Sequence, residues 1–339
     1  MRLDSKMSTA RTNFPAVKLV NDRILVSGGK SSSSNILSSS EIFTPSSSSW
    51  TSAGSMTAAR QYHAMTLLAN GNEVLVTGGD NNNNSKLATA ELYNINSGSW
   101  SSTSKPMPEI RTTHTSTLLN NNRVLIAGGI INTTQTAIYY DPTTSDWVQT
   151  GNMIASYREA ATATLLNDDR VLVTGGATAS KLPRNTAEIY NPTTNSWTQT
   201  SGNMINSRFY HSAIRLPDGN VLIVGGRNAS DTTVSSAELY LPSSNSFVAI
   251  DSPTYGGTQM TLTLLANNFV LATPGGDKFS NCPVLSELYD PTTRKWLKTG
   301  FLNVGRQANF AFPISNRVLT CGGDNADGIL DSCEYLSFD

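Results

Sequence analysis

Apolar and polar positions alternate along this chain in short blocks, and one block returns seven times. Val-Leu-Val-Thr-Gly-Gly at 74–79 recurs as ILVSGG (24–29), VLIAGG (124–129), VLVTGG (171–176), VLIVGG (221–226), VLATPGG (270–276) and VLTCGG (318–323). The first glycines, Gly28, Gly78, Gly128, Gly175, Gly225, Gly275 and Gly322, are separated by 50, 50, 47, 50, 50 and 47 residues. A fixed period of this length marks an array of one supersecondary unit, each copy burying a face against its neighbours.

The unit from 60 to 107 predicts four strands. RQYHAMTLLA alternates at short range, Asn70-Gly71-Asn72 turns the chain, and EVLVTGG is the β-branched run of a strand buried on both faces. The polar stretch DNNNNSKLAT follows as a surface loop, AELY is a third strand, and Trp100 opens a fourth that ends at Met107. The third turn is often Asp/Asn-Pro-Thr-Thr, as in DPTTSDW (141–147), NPTTNSW (191–197) and DPTTRKW, where proline presets φ. Four strands per unit without helical periodicity predict an all-β fold: a seven-bladed β-propeller with four antiparallel strands per blade, forming a single domain over 1–339.

Two more positions recur in register with the glycine doublet. One is an aromatic in the third strand (Phe43, Tyr93, Tyr140, Tyr190, Tyr240, Tyr289). The other opens the fourth (Trp50, Trp100, Trp147, Trp197, Phe247, Trp296). With these, the whole chain resembles kelch repeats, and the resemblance implies the propeller fold that also forms the central domain of galactose oxidase. The seventh unit stops at Asp339 before a fourth-strand Trp. MRLDSKMSTAR at the amino terminus aligns with WTSAGSMTAAR (50–60), so that Met7 matches Met56 and Arg11 matches Arg60. The last blade is therefore expected to combine three carboxy-terminal strands with one amino-terminal strand, leaving no open edge.

Charged residues make up 14% of the chain, against roughly 25% in ordinary proteins. With a formal net charge of -1 and no Lys/Arg cluster, neither nucleic acid nor an anionic membrane surface is an expected partner. No apolar run approaches the ~18 residues that cross a bilayer, so membrane insertion is not expected. The amino terminus lacks the apolar core of a signal peptide. A weak lean towards an extracellular location comes from Ser/Thr/Asn-rich loops and from Asn83, Asn132 and Asn228, each beginning an N-x-Ser/Thr acceptor. Cys282, Cys321 and Cys333 are too few for a disulfide framework, lack metal-finger spacing, and read as small buried residues.

Glutamate precedes the third-strand aromatic at Glu41, Glu91, Glu188, Glu238, Glu287 and Glu334, and arginine follows the fourth strand at Arg11, Arg60, Arg111, Arg208 and Arg306. Ile138 lacks the carboxylate, and the next unit shows Tyr157 in register with Arg158 one residue on; Glu238 is followed by Gly257. Each Glu is thus expected to hold the Arg that follows it. A carboxylate present once per blade is read as scaffold, not as a general acid or base.

Only three histidines occur, His63, His114 and His211, each three residues after an Arg. They are weak metal candidates; spread over three blades, they read better as blade-interface hydrogen-bonding groups. The resemblance to galactose oxidase sharpens this at one place: FYHSAIRLPDG (209–219), and QYHA at 61–64, look like the Tyr-His segment that supplies copper ligands there, which would carry over to Tyr210 and His211. The family's crosslinked Tyr–Cys pair has no counterpart upstream, because every Cys lies after 211, and no His follows 211. No phosphate loop or Gly-x-Ser-x-Gly elbow is present, and no cofactor or catalytic residue is expected.

In a four-stranded blade the loop after the second strand and the link into the next blade emerge on one face. That face is expected to gather the loops 30–38, 80–88, 130–136, 177–185, 227–235 and 277–284 around Arg60, Tyr62, Arg111, Tyr157, Arg158, Arg208, Tyr210, Tyr255 and Arg306, types that dominate interface energetics. The sequence therefore reads as a non-enzymatic binding module or scaffold presenting a polar face to a protein or glycan. The alternatives are a divergent galactose-oxidase-like or sugar-converting enzyme, and a spacer in a larger assembly. A site is expected where the repeat fails: Tyr157-Arg158, Gly256-Gly257 and the unlike loops.

Overall fold

A computed structural model describes residues 5–32, 35–83, 85–130, 137–155, 157–277 and 281–337, and every regular element among them is a β-strand. Six antiparallel sheets of four strands follow one another along the chain. Blade 2 is typical: Ala64–Leu67, Glu73–Thr77, Ala90–Asn94 and Ser99–Ser102 pair in sequence order, with Val74 opposite Tyr93 and Tyr93 opposite Trp100. The apolar run fills each second strand, fully buried from Val124 to Ala127 and from Val221 to Val224. Blade 7 contributes Phe310–Ile314, Arg317–Cys321 and Cys333–Ser337, so the array is a seven-bladed propeller.

The repeated aromatics join neighbouring blades. Tyr93 and Trp100 lie with ring centroids 5.0 Å apart, and the Trp100 indole donates to the Ala53 carbonyl of the blade before at 3.0 Å. Trp147 repeats this contact with Lys105, and Trp296 with Asp251.

Each glycine doublet meets the chain that leads into the next blade. Gly78 has φ +59°, and a Cβ there would collide with the Arg111 carbonyl and the His114 ring, while the Gly79 N–H donates to that same carbonyl at 2.7 Å. Glycine is required both by the left-handed backbone and by the close approach.

The ring closes between blades 7 and 1. Met7, Phe14, Ile24 and Phe43 share one buried cluster with Phe310, Leu319, Cys321, Cys333 and Tyr335. The Met7 N–H donates to Asp331 at 3.0 Å, as that of Met56 does to Ser38 at 2.9 Å, so the register expected from the alignment is kept. The closing strand itself would fall mainly on residues 1–4, which lie outside the described residues.

One reading is corrected. Cys321 and Cys333 are not free buried thiols: they occupy the cross-strand positions held by Thr77 and Ala90 in blade 2, and there they form a disulfide. Cys282 stays free.

Candidate functional site

The five arginines proposed for the loop-bearing face lie inside the blades. Arg60, Arg111, Arg208 and Arg306 are 0% exposed and Arg158 is 1% exposed. Arg60 shows why: its guanidinium donates to the carbonyls of Gly78 (2.7 Å) and Thr89 (3.1 Å), to the Thr89 hydroxyl (3.3 Å) and to Glu91 (2.6 Å). Both terminal nitrogens of the guanidinium are thereby engaged by one blade's own acceptors. Burial lowers the Arg60 pKa, and the charge of Glu91 and its hydrogen bond oppose that fall. These arginines are structural in this conformation and leave the contact surface to other side chains.

The partner differs from the expected one. Each arginine pairs with the glutamate that comes after it, in the blade it leads into: Arg11 with Glu41, Arg60 with Glu91, Arg158 with Glu188, Arg208 with Glu238 and Arg306 with Glu334. The link between blades carries each arginine past its own fourth strand, so reading the pair in the other direction placed it one blade off. The arrangement leaves two exceptions. Arg111 leads into the blade where Ile138 stands, and its charge meets Glu109 at 3.9 Å instead; burial brings its pKa down to about 10. Glu287 faces Gly257 and accepts from the Thr254 N–H (2.8 Å) and hydroxyl (2.9 Å).

Tyr62 and Tyr210 do reach the axis. They belong to a collar of seven residues, one per blade, that all have left-handed backbone: Asn13, Tyr62, Thr113, Ala160, Tyr210, Gln259 and Ala308, with φ from 51° to 55°. Such a φ is costly for a tyrosine. Main-chain bonds support it: the N–H of Tyr62 donates to Asn13, Thr113 to Tyr62, Ala160 to Thr113, Tyr210 to Ala160 and Gln259 to Tyr210, at 3.0 to 3.2 Å. The collar borders two axial cavities of about 330 and 220 Å3, both lined by Asn13, Tyr62, Tyr210 and Gln259. Burial raises the Tyr62 pKa first, with Asp324, Asp80 and Glu159 adding to it, and burial likewise raises that of Tyr210.

The histidines stand behind the collar, on the wall of the larger axial cavity. Nε2 of His63 shares a hydrogen bond with Ser27 (3.1 Å), that of His114 with Thr77 (2.8 Å), and that of His211 with Thr174 (2.9 Å) and Thr162 (3.0 Å). Each thus ties its blade to a hydroxyl of the blade before. Burial, with nearby arginines, lowers all three pKa values, to about 3 for His114 and His211.

Tyr157 and Tyr255 fall elsewhere. Tyr157 is half-buried, and its carbonyl accepts from Arg184 at 3.0 Å. Tyr255, 46% exposed, lines a cavity of about 690 Å3 away from the axis, between the post-doublet loops of blades 5, 6 and 7. Gly256 lines it too, so one of the places where the repeat breaks coincides with this cavity; Asp277, Asn281 and Asp327 were not singled out by sequence. The signal available for them was Pro274 ahead of the blade 6 doublet, a local departure from the repeat. Of the loops expected on this face, 33–34, 84, 131–136 (including Asn132) and 278–280 lie outside the described residues.

The sequence matches the family model described as KLHDC2/KLHL20/DRC7 Kelch-repeats domain over residues 15–226. No curated protein matches it. Among solved structures, a fungal alcohol oxidase with catalytic diversity in the AA5 family, in complex with copper, is similar in fold with a TM-score of 0.79. The two share 15% identity over 98% of this chain and 75% of that one. The residues present here do not fit copper. The Nε2 atom of His211 is engaged by two threonine hydroxyls, the three histidines bond to three different blades, and no group of three His, Cys, Asp or Glu able to hold a metal ion occurs among the described residues.

Proposed function

We propose, since the chain belongs to the kelch-repeat family of the KLHDC2/KLHL20/DRC7 type, that it is a non-enzymatic binding module whose loop-bearing face receives a protein partner. The observation that carries this reading is where apolar side chains stay exposed. Ile154, Leu182, Ile205, Tyr255 and Val284 are all exposed, and all sit in post-doublet loops or links between blades from the start of blade 4 to blade 6, while Val20, in the first turn of blade 1, and Val148, Leu297 and Phe301, in fourth strands, are exposed elsewhere. Exposed apolar groups gathered on one face of a protein with a polar surface support a docking role. Tyr62 and Tyr210, rigid on their collar, would add aromatic contacts at the centre.

The test is affinity capture with crosslinking, quantified for the natural chain and for a Leu182→Ser/Ile205→Ser double variant of unchanged circular dichroism. Partners captured by the natural chain should fall at least tenfold with the variant. Equal capture would remove this face from the interaction. The oxidase alternative has its own test, copper content together with oxidation of simple alcohols and aldehydes, and both are expected to be blank.

An extracellular location belongs to the same proposal. The Cys321–Cys333 disulfide supports an oxidising compartment, and Asn83 lies exposed in its loop where a glycan could be attached. Asn228 is half-buried, its side-chain carbonyl accepting from Ser230 and Thr232.

A further inference from the structure

The blade 4 loop keeps the main-chain path of its counterparts but changes the side chain at one slot. In four other blades the residue whose N–H donates to the second glycine of the doublet is apolar: Leu37 to Gly29, Leu87 to Gly79, Val234 to Gly226 and Leu330 to Gly323, each at 2.8 Å. Blade 4 makes the same bond, also at 2.8 Å, from Arg184 to Gly176. The Arg184 carbonyl then accepts from Arg208, as those of Leu37 and Leu87 accept from Arg60 and Arg111. An arginine thus fills a slot that the scaffold serves with leucine or valine, so the blade itself does not require its charge.

The side chain is held in one direction. The link into blade 4 is one residue longer than its counterparts, five steps from Met153 to Arg158 against four from Met56 to Arg60 and from Met204 to Arg208. Arg184 Nε donates to the Tyr157 carbonyl in that longer link at 3.0 Å, which orients the guanidinium. Its terminal nitrogens find no acceptor among the described residues and stay open to solvent. The nearby charges are already matched: Lys181 meets both oxygens of Glu159, at 2.6 and 2.5 Å, and Arg158 holds Glu188. Ser156, which lies outside the described residues, is uncharged.

Apolar side chains accompany this cation. Leu182, two residues before Arg184, is 57% exposed. Ile205, 54% exposed, follows Met204, whose N–H donates to Asn185 at 2.8 Å. The loop 177–185 and the link 201–208 that carry them are described throughout. A planar pair of open donors beside uncovered aliphatic groups matches a carboxylate set next to an apolar side chain.

On the docking role proposed above for this face, we infer that the partner presents an acidic and apolar peptide segment. An Asp or Glu side chain of that segment pairs with Arg184, and an adjoining apolar side chain packs on Leu182 and Ile205.

The experiment is an array of short synthetic peptides, capped at both ends, each carrying one leucine and, at varied spacing from it, a Glu, Gln, Lys or phosphoserine. The natural chain should capture the Glu set about tenfold more tightly than the Gln set, as one charge-assisted pair would give. Arg184→Leu places in the slot the residue that other blades carry there, and should bring capture of the Glu set down to that of the Gln set. Arg184→Lys should keep part of the preference. Leu182→Ser/Ile205→Ser should lose every set. The inference is overturned if Gln, Lys or phosphoserine peptides are captured as well as the Glu ones, or if Arg184→Leu keeps the preference. The docking role survives either result provided that the apolar variant loses capture, whereas no capture of any set by the natural chain would overturn both.

Discussion

Arg158 holds Glu188 through two donors on one carboxylate oxygen, Nε at 2.9 Å and Nη2 at 2.7 Å, while the other oxygen accepts the main-chain N–H of Ile154 at 2.6 Å. The pair is wholly inside the protein, and its glutamate also fixes the corner by which the chain comes into the blade.

Removing the carboxylate charge in Glu188→Gln should therefore lower unfolding free energy by about 3–5 kcal/mol, because Arg158 stays charged and buried without its counterion. Glu287→Gln has no buried cation to strand, since Gly257 stands opposite, and should cost only about 1 kcal/mol. Urea unfolding of both variants measures the difference; equal losses would mean the ion pair is not what matters at Glu188.

The three histidines predict acid sensitivity. Their folded pKa values lie well below the ordinary 6.5, so the unfolded chain takes up protons first as the pH falls. The stability tied to neutral His114 and His211 is complete above pH 6.5 and is lost progressively towards pH 3, at about 1.4 kcal/mol per pH unit for each histidine. Chemical unfolding between pH 7 and 4 should show this slope, and His114→Gln should flatten it; an unchanged slope would contradict burial of that ring as a neutral group.

Reduction should loosen the last blade. Cys321 and Cys333 are 12 residues apart, and crosslinking a loop of that size limits the unfolded chain by about 3 kcal/mol. A Cys321→Ser/Cys333→Ser variant should lose roughly that much and become insensitive to dithiothreitol, whereas a reductant-insensitive natural chain would argue that the bridge is not formed.

Ring closure can be tested at Met7, 1% exposed in the cluster that joins blades 7 and 1. Met7→Ala should cost about 2–5 kcal/mol, and deleting residues 1–10 should lower the melting temperature of the whole protein. An unchanged melting curve for the deletion would exclude closure through the amino terminus.

Repetition made the fold legible. Seven doublets in register, with an aromatic at six of the third strands, specify the strand order and even the match of Met7 to Met56. Partners were harder. Glu and Arg alternate along the chain, so either neighbour satisfies the spacing, and only the path of the link decides that Arg60 goes with Glu91 and not Glu41. The disulfide was within reach: Cys321 takes the place of Thr77 and Cys333 that of Ala90, positions that face each other across a ladder. The off-axis cavity was legible only as breaks in the repeat at Gly256-Gly257 and Pro274, because its shape depends on backbone angles that no residue count reveals.

The collar of left-handed residues around the axis is bonded through its main chain, from Asn13 round to Gln259. The width of the opening is thus largely independent of which side chains surround it. Asn, Tyr, Thr, Ala and Gln already occupy equivalent places there. Such a rim is a fixed aperture with interchangeable fittings: substitutions at Tyr62, Thr113 or Tyr210 can retune what is admitted while the frame keeps its dimensions.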